Sequence, residues 1–142
     1  MKALGLRLQP DQDLKQSLKA FVISQNIQAG YILSAIGSLK VAKLRFADRL
    51  ESDVLTGKFE ILSLNGTLSV HGLHLHLAIA DQNGKTIGGH LDTGCLIYTT
   101  AEIIIGEIPN LMFLRTPDSQ TGFLELEIKK REIREQSSLD AP

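Results

Sequence analysis

Alternation of apolar and polar positions runs through most of this chain. Leu4, Leu6 and Leu8 alternate with Gly5 and Arg7, a period of two that predicts a strand over residues 1–8. A longer period follows. Pro10-Asp11 opens a helix that Asp11 can cap, and Leu14, Leu18, Phe21 and Val22 form one apolar stripe. Lys15, Gln16 and Lys19 occupy its other side. Ala29-Gly30 is the expected stop, with Asn26 as the alternative.

Beyond residue 30 the pattern is that of strands. Residues 31–36 form a short apolar run that stops at Gly37-Ser38. Over 41–48, Ala42, Leu44 and Phe46 face one way, and Lys43 and Arg45 the other. The polar stretch 51–56 reads as a loop. Residues 57–64 form a strand that turns at Asn65-Gly66, a strong hairpin signal, and 67–70 continues beyond it. The strand 73–80 ends in the tight turn Asp81-Gln82-Asn83-Gly84. In segment 86–90, Gly88-Gly89 lets a backbone or a ligand approach closely. Residues 95–98 and 102–108 are apolar runs, and 109–122 reads as a loop with two prolines. Over 123–130, Leu124, Leu126 and Ile128 point inward and Glu125, Glu127 and Lys129 outward.

One helix among many hairpin-linked strands defines an α+β domain, a mainly antiparallel β-sheet with one principal helix packed on it. The domain is expected over 1–130, with a tail over 131–142 and disorder over 137–142. Ile103-Ile104-Ile105 implies burial on both faces of its strand. One helix cannot cover so much sheet, so an uncovered apolar face is expected to meet another copy of the chain.

Composition narrows the classes. A chain of 142 residues can bury one core without staples. No apolar run reaches the ~18–20 residues of a membrane span, and the N-terminus reads as a strand rather than a signal peptide. Cys95 is the single cysteine, so no internal disulfide forms, which suits a cytoplasmic location. The formal net charge is −1. Lys129, Lys130, Arg131 and Arg134 are interrupted by Glu127, Glu132 and Glu135, which reads as a solvated strand end rather than a phosphate-binding patch.

The histidines carry the candidate chemistry. His74 and His76 stand in His74-Leu75-His76, two apart on a strand and so on one face. His90 follows Gly88-Gly89 on a neighbouring segment. Together they would make a three-nitrogen metal site with an open fourth position for water, a carboxylate or a small anion, and zinc is the expected ion. The alternative is a pair of surface histidines and one loop histidine. His71 belongs to the turn before the strand and is not expected to ligate. Asp81, Asp92 and Glu102 are candidates to orient the imidazoles. Glu102, opening an otherwise apolar strand, is also the candidate general base, or else a strand-end surface charge. Arg45 is an anion hook or an exposed strand residue, and Glu60 is similarly open. Cys95 reads as a buried inert thiol. The chain has no GxGxxG, P-loop or Gly-x-Ser-x-Gly pattern and no base-stacking aromatic stripe.

Gly57-Lys58-Phe59-Glu60-Ile61-Leu62-Ser63-Leu64-Asn65-Gly66 resembles the Gly-Arg-Phe-Glu-Ile-Leu-Ser-Leu-x-Gly signature of the PPC domain of plants and prokaryotes. Residues 73–77, Asp81, Gly84 and Gly88-Gly89-His90-Leu91 resemble its histidine strand, turn and glycine-histidine segment. Ala29-Gly30 and residues 34–39 resemble its earlier strand. The likeness spans about residues 4–128. It implies a homotrimer with an antiparallel sheet and a candidate metal site at His74, His76 and His90. In plants the domain follows an Arg-Gly-Arg-Pro AT-hook and serves association and partner contact in nuclear regulators. This chain contains no Arg-Gly-Arg-Pro and has Lys58 at the signature arginine. The expectation is thus a cytoplasmic trimeric binding or interaction module with a zinc site, linked to transcription regulation and engaging a protein partner or small ligand. Its rivals are a small metal-dependent enzyme, with Glu102 or Asp92 as base, and a DNA-binding protein.

Overall fold

A computed structural model describes residues 1–133, and in it the two periodicities separate into one helix and eight strands. In chain order these are β1 (Lys2–Leu8), α1 (Leu14–Ser24), β2 (Gly30–Arg45), β3 (Asp53–Ser69), β4 (Gly72–Ala80), β5 (Thr86–Leu91), β6 (Leu96–Glu107), β7 (Leu111–Pro117) and β8 (Leu124–Lys130). The expected disorder of 137–142 lies outside the described residues. No helix among those described is long and apolar enough to cross a membrane.

The α+β class and the mainly antiparallel sheet are as the pattern predicts. Six strands lie in the order β1-β6-β2-β3-β4-β5, and every pairing is antiparallel. Leu14, Leu18 and Val22 of α1 are buried against this sheet with Ile27, Leu39, Leu44, Leu68, Leu77 and Ile97. The cap is Asp13 rather than Asp11: its Oδ1 accepts from the Gln16 amide at 2.9 Å. Its Oδ2 accepts from the Gly94 amide at 2.7 Å, tying the helix start to the segment before β6. The helix stops at Ser24, and Asn26 takes the left-handed conformation (φ 51°), so Asn26 and not Ala29-Gly30 ends it.

β2 is one strand of 16 residues rather than two short ones. Irregularities at Ile32/Ser34, Gly37/Leu39 and Leu39/Val41 let it bend without breaking. Along one edge it pairs with β3. Along the other it pairs with β6 from Gly30 to Val41, then with β5 at Leu44↔Leu91 and Arg45↔His90. This change of partner closes β2, β3, β4 and β5 into a ring. At the seam the backbones approach so closely that a Cβ on Gly89 would lie 2.8 Å from the Arg45 carbonyl oxygen.

The expected hairpin at Asn65-Gly66 does not form. β3 begins at Asp53, inside the expected loop, and runs through Asn65-Gly66 to Ser69. The turn is Val70-His71, bracketed by the pair Ser69↔Gly72. Gly66 serves a different need: with φ 142°, it lies where a Cβ would overlap the His74 carbonyl across the ladder.

The expected loop 109–122 contains β7, which pairs with β8 as a separate two-stranded sheet. The prolines sit at its ends, where no ladder donor is lost. The buried Ser69 hydroxyl fastens β7 to the β3–β4 turn, donating to the Phe113 carbonyl at 2.7 Å and accepting from the His71 amide at 3.1 Å. Among the described residues no layer covers the apolar side of β8, so its expected orientation is reversed: Leu124, Leu126 and Ile128 are exposed, while Glu125 and Glu127 are partly covered. Similarly, Ile103 and Ile105 are buried but Ile104 is exposed, so β6 is buried on one face only in the single chain.

Candidate metal centre

Period-two alternation splits β4 into two faces. Leu75, Leu77 and Ile79 are buried in the core, which turns His74 and His76 outward. On β5, Leu91 is buried and its neighbour His90 points the opposite way. The β4–β5 register sets His76 directly across from His90, and His74 lies two residues along on the same face. The three imidazole centroids are 5.1, 5.2 and 5.8 Å apart. One nitrogen from each ring lies within 4.8 Å of the other two. Zinc–nitrogen bonds of 2.0–2.1 Å place two ligands of a tetrahedral ion ~3.3 Å apart, so small ring rotations bring the three onto one ion. The donors fit a metal. An ion held by these three nitrogens from one side would keep a fourth position open, where it could acidify water or take an anion.

The surroundings disfavour the protonated form of His74 and His90. Partial burial, and then the Arg115 guanidinium, lower the pKa of His74. Partial burial and then Arg45 lower that of His90 to about 4. A metal therefore meets two imidazoles already free of the proton that would compete with it.

Two arginines stand beside the histidines. Arg45 is the cross-strand partner of His90 at the ring seam, and its Nη1 donates to the Arg49 carbonyl at 3.2 Å. Arg115 of β7 lies over Gly72, and its Nη2 donates to Thr67 Oγ1 at 2.7 Å. Thr67 is the cross-strand partner of His74. Both guanidiniums line an open cleft of about 560 Å³ with His71, His74 and His90, closed on one side by Phe123, Leu124 and Glu125 of the β7–β8 hairpin.

Glu102 is not brought to the centre. It is exposed on β6, opposite Arg7 of β1 and Ile36 of β2, and β6 pairs with neither histidine strand. Asp81 instead organises its own turn, accepting from the amides of Asn83 and Lys85. Asp92 accepts from Ser52 Oγ at 2.8 Å and faces Lys43 at 3.8 Å, within a second cleft that His90 and Arg45 also line. His71 lines the main cleft but stands apart from the three-histidine cluster. Cys95 is buried, and burial raises its thiol pKa to about 11, as an inert thiol requires. Arg115 escaped the sequence reading because its segment passed for a loop. The apolar run Leu111-Met112-Phe113-Leu114 was the signal that could have found it.

The chain belongs to the Plants and Prokaryotes Conserved (PCC) domain family, whose description matches residues 1–109. Among curated proteins it is 53% identical over 130 residues to the "Bifunctional protein GlmU" of Synechococcus sp. (strain JA-3-3Ab). That match covers 92% of this chain but 21% of the relative, so the chain spans about a fifth of that protein's length. Among solved structures, a hypothetical protein from Salmonella cholerae-suis superposes with a TM-score of 0.90 at 44% identity, covering 92% of this chain and 95% of that one. A protein from Archaeoglobus fulgidus described as metal-containing superposes with a TM-score of 0.74 at 29% identity, covering 89% and 94%.

Proposed function

We propose that this chain is a homotrimeric PCC-domain binding module that holds zinc through His74, His76 and His90. The carrying observation is the convergence of three imidazole nitrogens within 4.8 Å on the solvent side of β4 and β5. The metal-containing neighbour of the same fold supports the reading. Imidazole donors suit zinc, copper, nickel and iron, and zinc is the ion proposed here. The fourth position then takes water or a small anion, and its occupancy reports to a protein partner or stabilises the assembly. The domain's place in relatives about five times as long fits a module that serves other units.

Assembly rests on a second observation. Ile36, Leu62 and Tyr98 are exposed and line one cleft with Glu60 of the Phe-Glu-Ile signature. Leu126 and Ile128 of β8 are exposed as well. Copies of the chain covering such faces make the trimer that the family likeness implies. With its one thiol buried and unpaired, the protein suits a reducing cytoplasm. A net charge of −1 speaks against duplex DNA as the ligand.

Elemental mass spectrometry of the untagged protein tests the metal. Near-stoichiometric zinc, absent from a folded His74→Ala/His76→Ala variant of unchanged mass, is the expected result. No metal in either protein after zinc is added back would end the proposal.

A further inference from the structure

Two positive side chains approach the histidine centre from different strands, and among the described residues no carboxylate forms an ion pair with either. Arg45 approaches His90 from β2, across the seam of the ring. Arg115 approaches His74 from β7, held by Thr67. Neither guanidinium makes an ion pair among the described residues. Each uses one N–H on a neutral acceptor, Arg49 O or Thr67 Oγ1, and keeps the rest of its fork. Among the described residues Glu125 is the one carboxylate lining the cleft, against two arginines, so the described charged lining is net positive before any metal arrives.

We infer that Arg45 and Arg115 form, over the open side of the histidine centre, a cradle for a small organic oxyanion, a carboxylate or a phosphate monoester. The inference rests on the metal reading for the anion's third contact and on the arginines alone for the other two. A guanidinium fork matches the paired oxygens of either group. Both arginines are half-buried, so their charge is screened less than at an open surface. The thiol-free cleft also has an apolar wall, made by Leu73, Phe123 and Leu124. The ligand is therefore an anion with a small apolar body: the oxyanion lies between the guanidiniums and the metal, and the body lies against the β7–β8 hairpin. The buried Ser69 bond fastens β7, the strand that carries Arg115, and the hairpin it begins also brings Phe123 to the cleft.

Calorimetric titration of benzoate and phenyl phosphate, with neutral benzamide as control, tests this in chloride-free buffer on metal-free and zinc-loaded protein. Both anions should bind and benzamide should not. Binding should tighten with zinc, and the preferred anion identifies the oxyanion class. Arg45→Gln and Arg115→Gln should each weaken binding roughly tenfold or more, the effect of losing a charge-assisted hydrogen-bond pair, while zinc content stays at the wild-type level. Arg115→Lys keeps the charge and the fold but not the fork, and should fall between. Zinc uptake without anion binding, or anion binding indifferent to both arginines, overturns the cradle and leaves the metal site standing. Arginine-dependent anion binding by a protein that takes no zinc supports the cradle and removes the metal.

Discussion

His76 and His90 stand directly across from each other on β4 and β5, and the position that joins them also faces His74. Losing either of the paired histidines should therefore cost more than the ~10–100-fold in metal affinity typical of losing an outer partner. His76→Ala and His90→Ala, titrated with zinc against a competing chelator, should show it. His71→Ala, which changes a cleft-lining ring outside the cluster, should leave zinc affinity unchanged.

Gly66 faces the His74 carbonyl across the ladder. Gly66→Ala forces those strands apart and should lower stability by roughly 2 kcal/mol or more. Chemical denaturation measures the loss. Because His74 moves with its backbone, zinc retention should fall in the same variant.

How much was legible before the fold was known follows from such pairs. The histidine strand could be read because its period of two keeps His74 and His76 on one face whatever the pairing. The helix could be read from Leu14, Leu18 and Val22 for the same reason of local repeat. Asn65-Gly66 misled because a local turn preference competes with a ladder that continues to Ser69, and the ladder wins. The glycine there answers to a backbone on the other strand, which no local pattern records. Arg115 stayed hidden because Pro109 and Pro117 frame its strand and suggest a loop. Arg45 was visible as an outward-facing residue, but its pairing with His90 depends on the seam between β2 and β5, far apart in sequence.

His90 titrates near 4 in the folded chain, below its ordinary 6.5. Between these values the unfolded chain binds a proton that the folded chain refuses. Stability of the metal-free protein should thus rise with pH across this window, be complete above 6.5, and be lost as pH falls toward 4. The difference between wild type and His90→Gln in urea midpoint isolates the effect. A difference that stays flat from pH 4 to 6.5 would contradict it.

Ser69 is buried, and its hydroxyl joins the Phe113 carbonyl to the β3–β4 turn. Ser69→Ala strands both groups and should cost about 1–3 kcal/mol. Hydrogen exchange should show the loosening first in β7 and β8, ahead of β4.

Leu62 is 53% exposed beside Ile36 and Tyr98. In a trimer that covers this face, Leu62→Glu buries a charge without a partner. Light scattering should then fall from three chains to one at micromolar concentration while the circular dichroism is kept. A wild-type protein of monomeric mass would remove the trimer.

β4 and β5 carry Leu75, Leu77 and Leu91 on one side and the three histidines on the other. The side chains that hold the sheet and those that carry the candidate chemistry thus lie on opposite faces of the same two strands, so an exposed ring can be replaced without removing a core contact. The fold can lose its imidazoles, or exchange them for other donors, and still be the same scaffold. The chemistry of this face can therefore change by replacement of exposed rings while the leucines beneath stay as they are.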